Sequence, residues 1–262
     1  MSILARLLAK PFEQILGHTL LQPISSAVAR FGLHCVGINL HYELKDSGEL
    51  RFLQKVNKSI PGFICFDVGA NVGEYALAAL EAGASKVVCF EPVSPTFEEL
   101  RQALNGRGAT LKNIGLGEKS GNVSLYLPEG ASSTLASRDA QLLGSQDNLQ
   151  RFDVRIETID EVVEQLGSYP DLLKIDVEGF ELEVLLGGKK LLSGTRRPRF
   201  IQFEFNIHHM YRGQTIDNFI EILSGYDLYR LTQTGVSPIG VSPALDRLYG
   251  YMNIVATTEK IN

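Results

Sequence analysis

Residues 63–83 read Phe-Ile-Cys-Phe-Asp-Val-Gly-Ala-Asn-Val-Gly-Glu-Tyr-Ala-Leu-Ala-Ala-Leu-Glu-Ala-Gly. The apolar run Phe63–Val68 predicts a short strand with both faces buried, and Glu74–Ala82 predicts a helix ended by Gly83. Between them, Gly69, Asn71 and Gly73 let the chain turn sharply and bring its backbone close to a ligand. A strand, a glycine turn and a helix begin a βαβ unit, in which ligands bind outside the carboxyl ends of the strands.

The same rhythm runs outward from this stretch. Lys86–Phe90 reads as a second strand and Ser94–Leu104 as a helix, with Ser94 as its cap and Pro95 at its first position. Thr110–Ile114 reads as a third strand. Residues 121–158 break the pattern: an alternating half-exposed strand around Val123–Leu127, a polar stretch Glu129–Asn148 suited to a lid, then a strand at Phe152–Ile156. Thr158 with Glu161 forms a capping box ahead of a helix to Leu166. Strand Leu172–Ile175, helix Phe180–Leu192, strand Phe200–Phe205 and helix Ile216–Leu223 restore the alternation. Leu228–Thr232 and Gly250–Ala256 close the chain as strands suited to a hairpin.

The 262 residues suffice for one large domain with an N-terminal addition, and the expected division is 1–50 and 51–262. Ile3, Leu4, Leu7, Leu8, Phe12, Ile15 and Leu16 recur at helical spacing. They suggest a helix packed on the body or on a partner subunit of a homodimer, with peripheral contact with a membrane surface as the alternative. Neither a membrane span nor a secretory leader is expected. Cys65 and Cys89 fall inside apolar runs and read as core residues; with no call for disulfides, a cytoplasmic setting is expected. A net charge of −5 argues against nucleic acid as a partner.

The glycine turn alone would serve NAD, FAD, a phosphate or plain structure. Its pattern is GxNxG rather than GxGxxG, and Asp67 precedes it. A carboxylate there repels a pyrophosphate but suits the sulfonium and amino groups of S-adenosylmethionine (SAM). Glu91-Pro92 ends the second strand, 24 positions on from Asp67, where a carboxylate can accept hydrogen bonds from both ribose hydroxyls. Lys174 and Asp176 lie on one side of the fourth strand, followed by Glu178. They read as a strand-end ion pair or as a substrate site. Glu204 sits in an apolar strand, awkward for a charge without a role, and His208 and His209 follow it. No spacing argues for a dedicated metal site.

In combination, FDVGANVGEYAL (66–77), CFEP (89–92), SSTL (132–135), LLKIDVEGFELEVLLGG (172–188) and QFEFN (202–206) resemble the FkbM family of SAM-dependent methyltransferases, over about Phe63 to Ala256. The resemblance implies an α/β class I methyltransferase fold of Rossmann type, with a seven-stranded, mostly parallel sheet whose last strand is antiparallel. It implies O-methylation of a hydroxyl on a sugar, glycolipid or polyketide-like metabolite. Asp67, Gly69 and Asn71 would then lie along the methionine part of SAM, with Gly73 and Glu74 completing the turn. Glu91 and Pro92 would stand at the ribose, and Asn113 and Ile114 at the adenine. Asp176 and Glu178 match the family's acidic pair beside the reaction centre. Asp176 or Glu204 is the expected general base with His208 next in line, and Glu178 would orient the acceptor. The rivals are a nicotinamide oxidoreductase, disfavoured by Asn71 and by the lack of a Tyr-xxx-Lys pair, and a silent domain that binds SAM or a partner.

Overall fold

The computed structural model describes residues 19–38, 43–128 and 149–259. The apolar stripe Ile3–Leu16, the polar stretch Glu129–Asn148 and SSTL lie outside the described residues. A 3₁₀ turn (Thr19–Leu21) leads into helix α1 (Gln22–Cys35), followed by a short α2 (Leu44–Ser47) and by α3 (Glu49–Ser59). The glycine-turn stretch follows as β1 (Ile64–Val68) and α4 (Glu74–Glu81), then β2 (Lys86–Phe90), α5 (Ser94–Ala103) and β3 (Thr110–Lys112). After the interruption come β7 (Leu172–Ile175) and β8 (Phe200–Phe205), and the chain closes with β9 (Asp227–Leu231), β10 (Val236–Pro238) and β11 (Met252–Thr257).

The main sheet has the order β10-β9-β11-β8-β7-β1-β2-β3. Seven of these strands form the expected sheet, with β11 antiparallel to both β8 and β9. The eighth, β10, hairpins onto the outer edge of β9, inside the connection expected to join β9 directly to β11. Both faces are covered, so β7 and β8 are buried at every position, which is why they read as near-continuous apolar runs. Phe66, Val68, Val88, Phe90, Leu173 and Phe203 pack on one face, while Cys65, Val87, Cys89, Leu172 and Phe200 pack on the other with α3 and α4. Cys65 and Cys89 are buried, as their apolar surroundings implied.

A second, three-stranded sheet holds β4 (Gly115–Leu116), β5 (Gly121–Pro128) and β6 (Leu149–Glu157) in the order β4-β6-β5. It forms because the third strand ends two residues earlier than its apolar pattern suggested. Asn113 donates its side-chain amide to the carbonyls of Glu91 and Pro92, and the backbone leaves the main sheet there. Ser94 is the first residue of α5 rather than its cap; its hydroxyl turns to Asn113. The capping box at Thr158 is present and opens α6 (Ile159–Leu166). The single helix expected over Phe180–Leu192 is two, α7 (Glu181–Leu186) and α8 (Lys189–Ser193). Gly187 and Gly188 break it, and a Cβ on Gly187 would overlap the Gly117 carbonyl, so the gap is where the 115–118 turn packs.

Candidate active site

The carboxyl ends of β1, β2, β7 and β8 open on a cavity of about 690 Å³. Backbone hydrogen bonds knit those ends together: Gly69 and Ala70 donate to Phe90 O, Asp176 to Val68 O and Glu91 to Lys112 O. Gly69 has φ +81°, and a Cβ there would overlap the Asp176 carbonyl. The turn therefore needs glycine to let β1 and β7 close on each other. Among the described residues, the two non-glycine positive-φ positions are Asn71 (+46°) and Glu178 (+54°), and both line this cavity. Such conformations persist only where the surroundings enforce them, and they cluster at functional sites.

Four carboxylates line the cavity: Glu91, Asp176, Glu178 and Glu204. Glu91 is held by two backbone donors, Asn71 N–H at 3.1 Å and Val93 N–H at 2.9 Å. Burial pushes its carboxyl up to about 7 against the pull of those two bonds. Glu178 is raised to about 8, by burial and then by the charges of Asp176 and Glu181. Burial, followed by Asp176, Glu178 and Glu181, drives Glu204 well above the ordinary carboxylate range, and Asn206 donates to it from its side-chain amide. No lysine or arginine stands among the described lining residues. His208 Nε2 lies 3.7 Å from Glu178, and burial lowers the His208 pKa, which favours the neutral ring.

Beneath the cavity runs a buried polar seam. Strand register places Asp67 beside Lys174 and Lys174 beside Gln202 on one face of the sheet. Lys174 pairs with Asp176 at 2.9 Å and lies 4.0 Å from Glu49 of α3. Burial works to lower the Lys174 pKa, but Asp176 and Glu49 outweigh it and hold the ammonium charged. Gln202 bridges Glu49 and Tyr75, and so ties α3 and α4 to the strand. Asp67 is raised to about 7 by burial, and its Oδ2 has no hydrogen-bond partner among the described residues. A second buried contact joins the two acidic loops: Glu181 accepts from Val177 N–H and lies 2.8 Å from His209 Nε2, while His209 Nδ1 accepts from Asn206 N–H.

Of the residues named from sequence, Gly69, Asn71, Glu91, Pro92, Asp176, Glu178, Glu204 and His208 meet at the cavity. Asp67 lies just behind it in the seam. Gly73 packs against Leu100 and Leu104, and Glu74 is exposed at the start of α4. Asn113 and Ile114 are not lining residues; Gly115 and Leu116, which follow them, are, together with Leu125 and Ile156 of the second sheet. Sequence reasoning gave no site role to Glu49, Tyr75, Asn206, Phe180 or the pair Tyr249 and Tyr251. The last two flank Gly250 directly before β11, and that aromatic pattern at a strand entrance was the available signal.

A family model described as the methyltransferase FkbM domain matches residues 67–230, from the first acidic turn into β9 and well over half of the chain. The chain belongs to the FkbM methyltransferase family. Its cofactor is accordingly SAM, and the family assignment separates it from the nicotinamide oxidoreductases. Relatives of this FkbM protein include the hexuronic acid methyltransferase AglP of Haloferax volcanii, 32% identical over 130 residues (47% of this chain, 49% of AglP). Another is the 2-O-methyltransferase NoeI of Sinorhizobium fredii, 25% identical over 193 residues (67% of this chain, 77% of NoeI). The AMB antimetabolite synthetase AmbE of Pseudomonas aeruginosa is 28% identical over 190 residues, 59% of this chain but 9% of AmbE. The chain thus spans under a tenth of AmbE and about half of AglP. A solved SAM-dependent methyltransferase from Agrobacterium tumefaciens superposes over 80% of this chain and 61% of its own, with a TM-score of 0.45 and 9% identity.

Proposed function

We propose that this FkbM protein transfers the methyl group of SAM to a hydroxyl of a sugar, glycolipid or polyketide-like acceptor. The observation that carries the reading is the cavity itself: four carboxylates converge at the strand ends with no lining lysine or arginine among the described residues. Carboxylates gathered this way favour a cationic ligand over an anionic one, and burial raises the pKa of three of them, Glu91, Glu178 and Glu204. That fits a sulfonium cofactor and opposes a dinucleotide. The printed names of AglP and NoeI, one acting on a hexuronic acid and one a 2-O-methyltransferase, support a sugar hydroxyl as acceptor.

When bound, SAM supplies a methyl group already activated for displacement by its positive sulfur. The protein's work is alignment, exclusion of water and removal of one proton. Glu91, fixed by its two backbone donors, is placed to accept from the ribose hydroxyls, with Pro92 beside it. Gly69 and Asn71 bring the turn's backbone to the methionine end. Asp67 adds negative potential from behind, and Gly73 and Glu74 start the helix that holds the turn. Asp176 or Glu204 takes the acceptor's proton, and Glu178 orients the acceptor. Glu204 suits the task in that a carboxylate with a raised pKa is a stronger base once ionised. His208, kept neutral, is the next candidate. Phe180, Tyr249 and Tyr251 wall the cavity and help exclude water.

The test is S-adenosylhomocysteine production from saturating SAM across a panel of sugar and lipid-linked hydroxyl acceptors, comparing wild type with Asp176→Asn and Glu204→Gln. Loss of about a hundredfold or more in at least one variant is expected from removal of a general base. Full turnover in both would discard the base assignment. Cofactor binding without product on any acceptor would favour the silent-domain reading.

A further inference from the structure

Glu181 and His209 are fully buried and are not among the described residues that line the cavity. Buried polar atoms need partners, and neither Glu181 Oε2 nor His209 Nε2 has a hydrogen bond to any other described residue. They lie 2.8 Å apart, so each satisfies the other. Their remaining polar atoms are engaged as well. Glu181 Oε1 accepts from Val177 N–H at 2.8 Å, and His209 Nδ1 accepts from Asn206 N–H at 3.2 Å. An accepting Nδ1 puts the ring's proton on Nε2, the nitrogen that faces the Glu181 carboxylate. Phe205 stacks on the ring at 4.8 Å and Phe219 meets it edge-on at 5.4 Å, which fixes its plane. We infer that this buried relay, from Val177 N–H through Glu181 and His209 to Asn206 N–H, positions Glu178 and Glu204 for the acceptor. Glu181 and His209 are thus positioning residues, and the inference rests on the cavity being a methyl-transfer site.

Each end of the relay governs one of the two carboxylates. At one end, Val177–Phe180 is a tight turn closed by Phe180 N–H to the Val177 carbonyl at 3.3 Å, with φ +54° at Glu178 and +92° at Gly179. Positive φ at both central residues is the pattern of a type I′ turn, which glycine, asparagine and aspartate occupy most readily. A glutamate persists there only where its surroundings enforce it, and Glu181 grips the turn by its Val177 N–H. The turn also rests on helix α9 (Ile207–Tyr211), so closely that a Cβ on Gly179 would come within 2.8 Å of His208 Cβ. At the other end, Asn206 caps α9 by accepting from His208 N–H at 2.8 Å, and its side-chain amide donates to Glu204. His209 holds the Asn206 backbone N–H, Asn206 aims its amide, and the amide sets Glu204. Charge adds to position. Burial raises the pKa of Glu178 first, then Asp176 and Glu181 add to it against Lys174, with His208 Nε2 close by. Glu204 is raised by burial, then by Asp176, Glu178 and Glu181 against Lys174, with Tyr251 also near. Glu91 instead answers to burial and its two backbone donors.

The deciding experiment needs no acceptor. Nitrogen-15 spectra of the full chain read the tautomer of His209, identified by the contacts of its ring protons with Phe205 and Phe219. Carbon-13 spectra of carboxyl-labelled glutamate, assigned with Glu178→Gln and Glu204→Gln, follow the titrations of Glu91, Glu178 and Glu204. Wild type is compared with Glu181→Gln, whose amide oxygen can serve one of the two donors while its NH₂ group faces the other. The expected wild-type result is a proton on His209 Nε2. The folded variant should bind SAM within about threefold of wild type. Its Glu178 and Glu204 should titrate at lower pH, because a neighbouring negative charge is gone, while Glu91 stays where it was. On any acceptor that wild type methylates, kcat should fall about ten- to a hundredfold, with KM for SAM unchanged. A proton on Nδ1 in wild type overturns the inference, whether or not the variant folds. So do Glu178 and Glu204 titrations that do not move, and so does a Glu91 titration that moves with them, the mark of general loosening. Wild-type protein that fails to bind SAM counts instead against the methyltransferase reading, and the tautomer and titrations still decide the relay.

Discussion

Asp67, Glu91 and Glu178 hold their protons far above the ordinary carboxylate range, to about 7, 7 and 8, chiefly because folding buries them. A carboxyl whose pKa rises on folding favours the folded state while it is protonated, below its unfolded value near 4. That contribution is lost progressively as pH climbs from about 4 through 7 to 8. The cofactor-free protein should therefore lose melting temperature over that window. SAM is cationic and should bind tighter over the same window, by up to about tenfold per pH unit for each proton released. Calorimetry in buffers of different ionisation enthalpy reads that release directly, and a flat affinity from about pH 6 to 8.5 would mean these carboxyls do not face the cofactor's charge. Asp67→Asn separates the two effects. At about pH 8 it should raise the melting temperature of the free protein by a few degrees and weaken SAM binding about tenfold. Both Asp67 and Glu91 were legible as candidates in the sequence, Asp67 because it precedes the glycine turn and Glu91 because it ends the next strand at the spacing of a ribose-holding carboxylate. Glu49 and Gln202 were not: they lie 153 positions apart, and only the fold brings them together.

At the scale of elements, the strands announced themselves by apolar runs, and the capping box at Thr158 marked α6 to the residue. What misled was local pattern without its packing partners. The apolar periodicity of 180–192 continues through two glycines, but the neighbouring 115–118 turn needs the space where a continuous helix would have a side chain. The third strand stopped early because the Asn113 amide holds the carbonyls of Glu91 and Pro92, a contact no periodicity reveals. The junction of β1 and β7 yields a sharp expectation. Gly69→Ala forces a Cβ into the Asp176 carbonyl at φ +81°. The variant should therefore be destabilised by several kcal/mol, and what folds should bind SAM poorly. A chemical denaturation curve reads the first, and a wild-type curve would show that β1 and β7 are not locked at that point.

For the molecule as a whole, α3 is the element whose role least resembles its sequence appearance. It spans the expected division near residue 50, packs Phe52, Leu53 and Val56 into the core and sends Glu49 into the seam under the cavity. Glu49 is one of two carboxylates that keep Lys174 charged, and Lys174 in turn holds Asp176 at 2.9 Å. Glu49→Ala strips a buried charge of a partner and should destabilise by about 3 kcal/mol, roughly 6–12 °C in melting temperature. A variant melting like wild type would show that Asp176 alone satisfies Lys174. Crossover alternation and the glycine turn were readable because each follows from local chemistry, and the seven-stranded sheet with its antiparallel last strand came from the family resemblance. The second sheet and the seam depend on contacts between segments apart in sequence, while β10, three residues hairpinned onto β9, is too short to show a periodicity.

The most direct measurement is calorimetric titration of the wild-type protein and Glu91→Ala with SAM, S-adenosylhomocysteine and NAD. Saturable binding of both sulfur ligands, weakened about ten- to a hundredfold in the variant, with none for NAD, is the expected result. Binding of NAD, or SAM affinity indifferent to the loss of the Glu91 carboxylate, would contradict the assignment of this cavity to the cofactor.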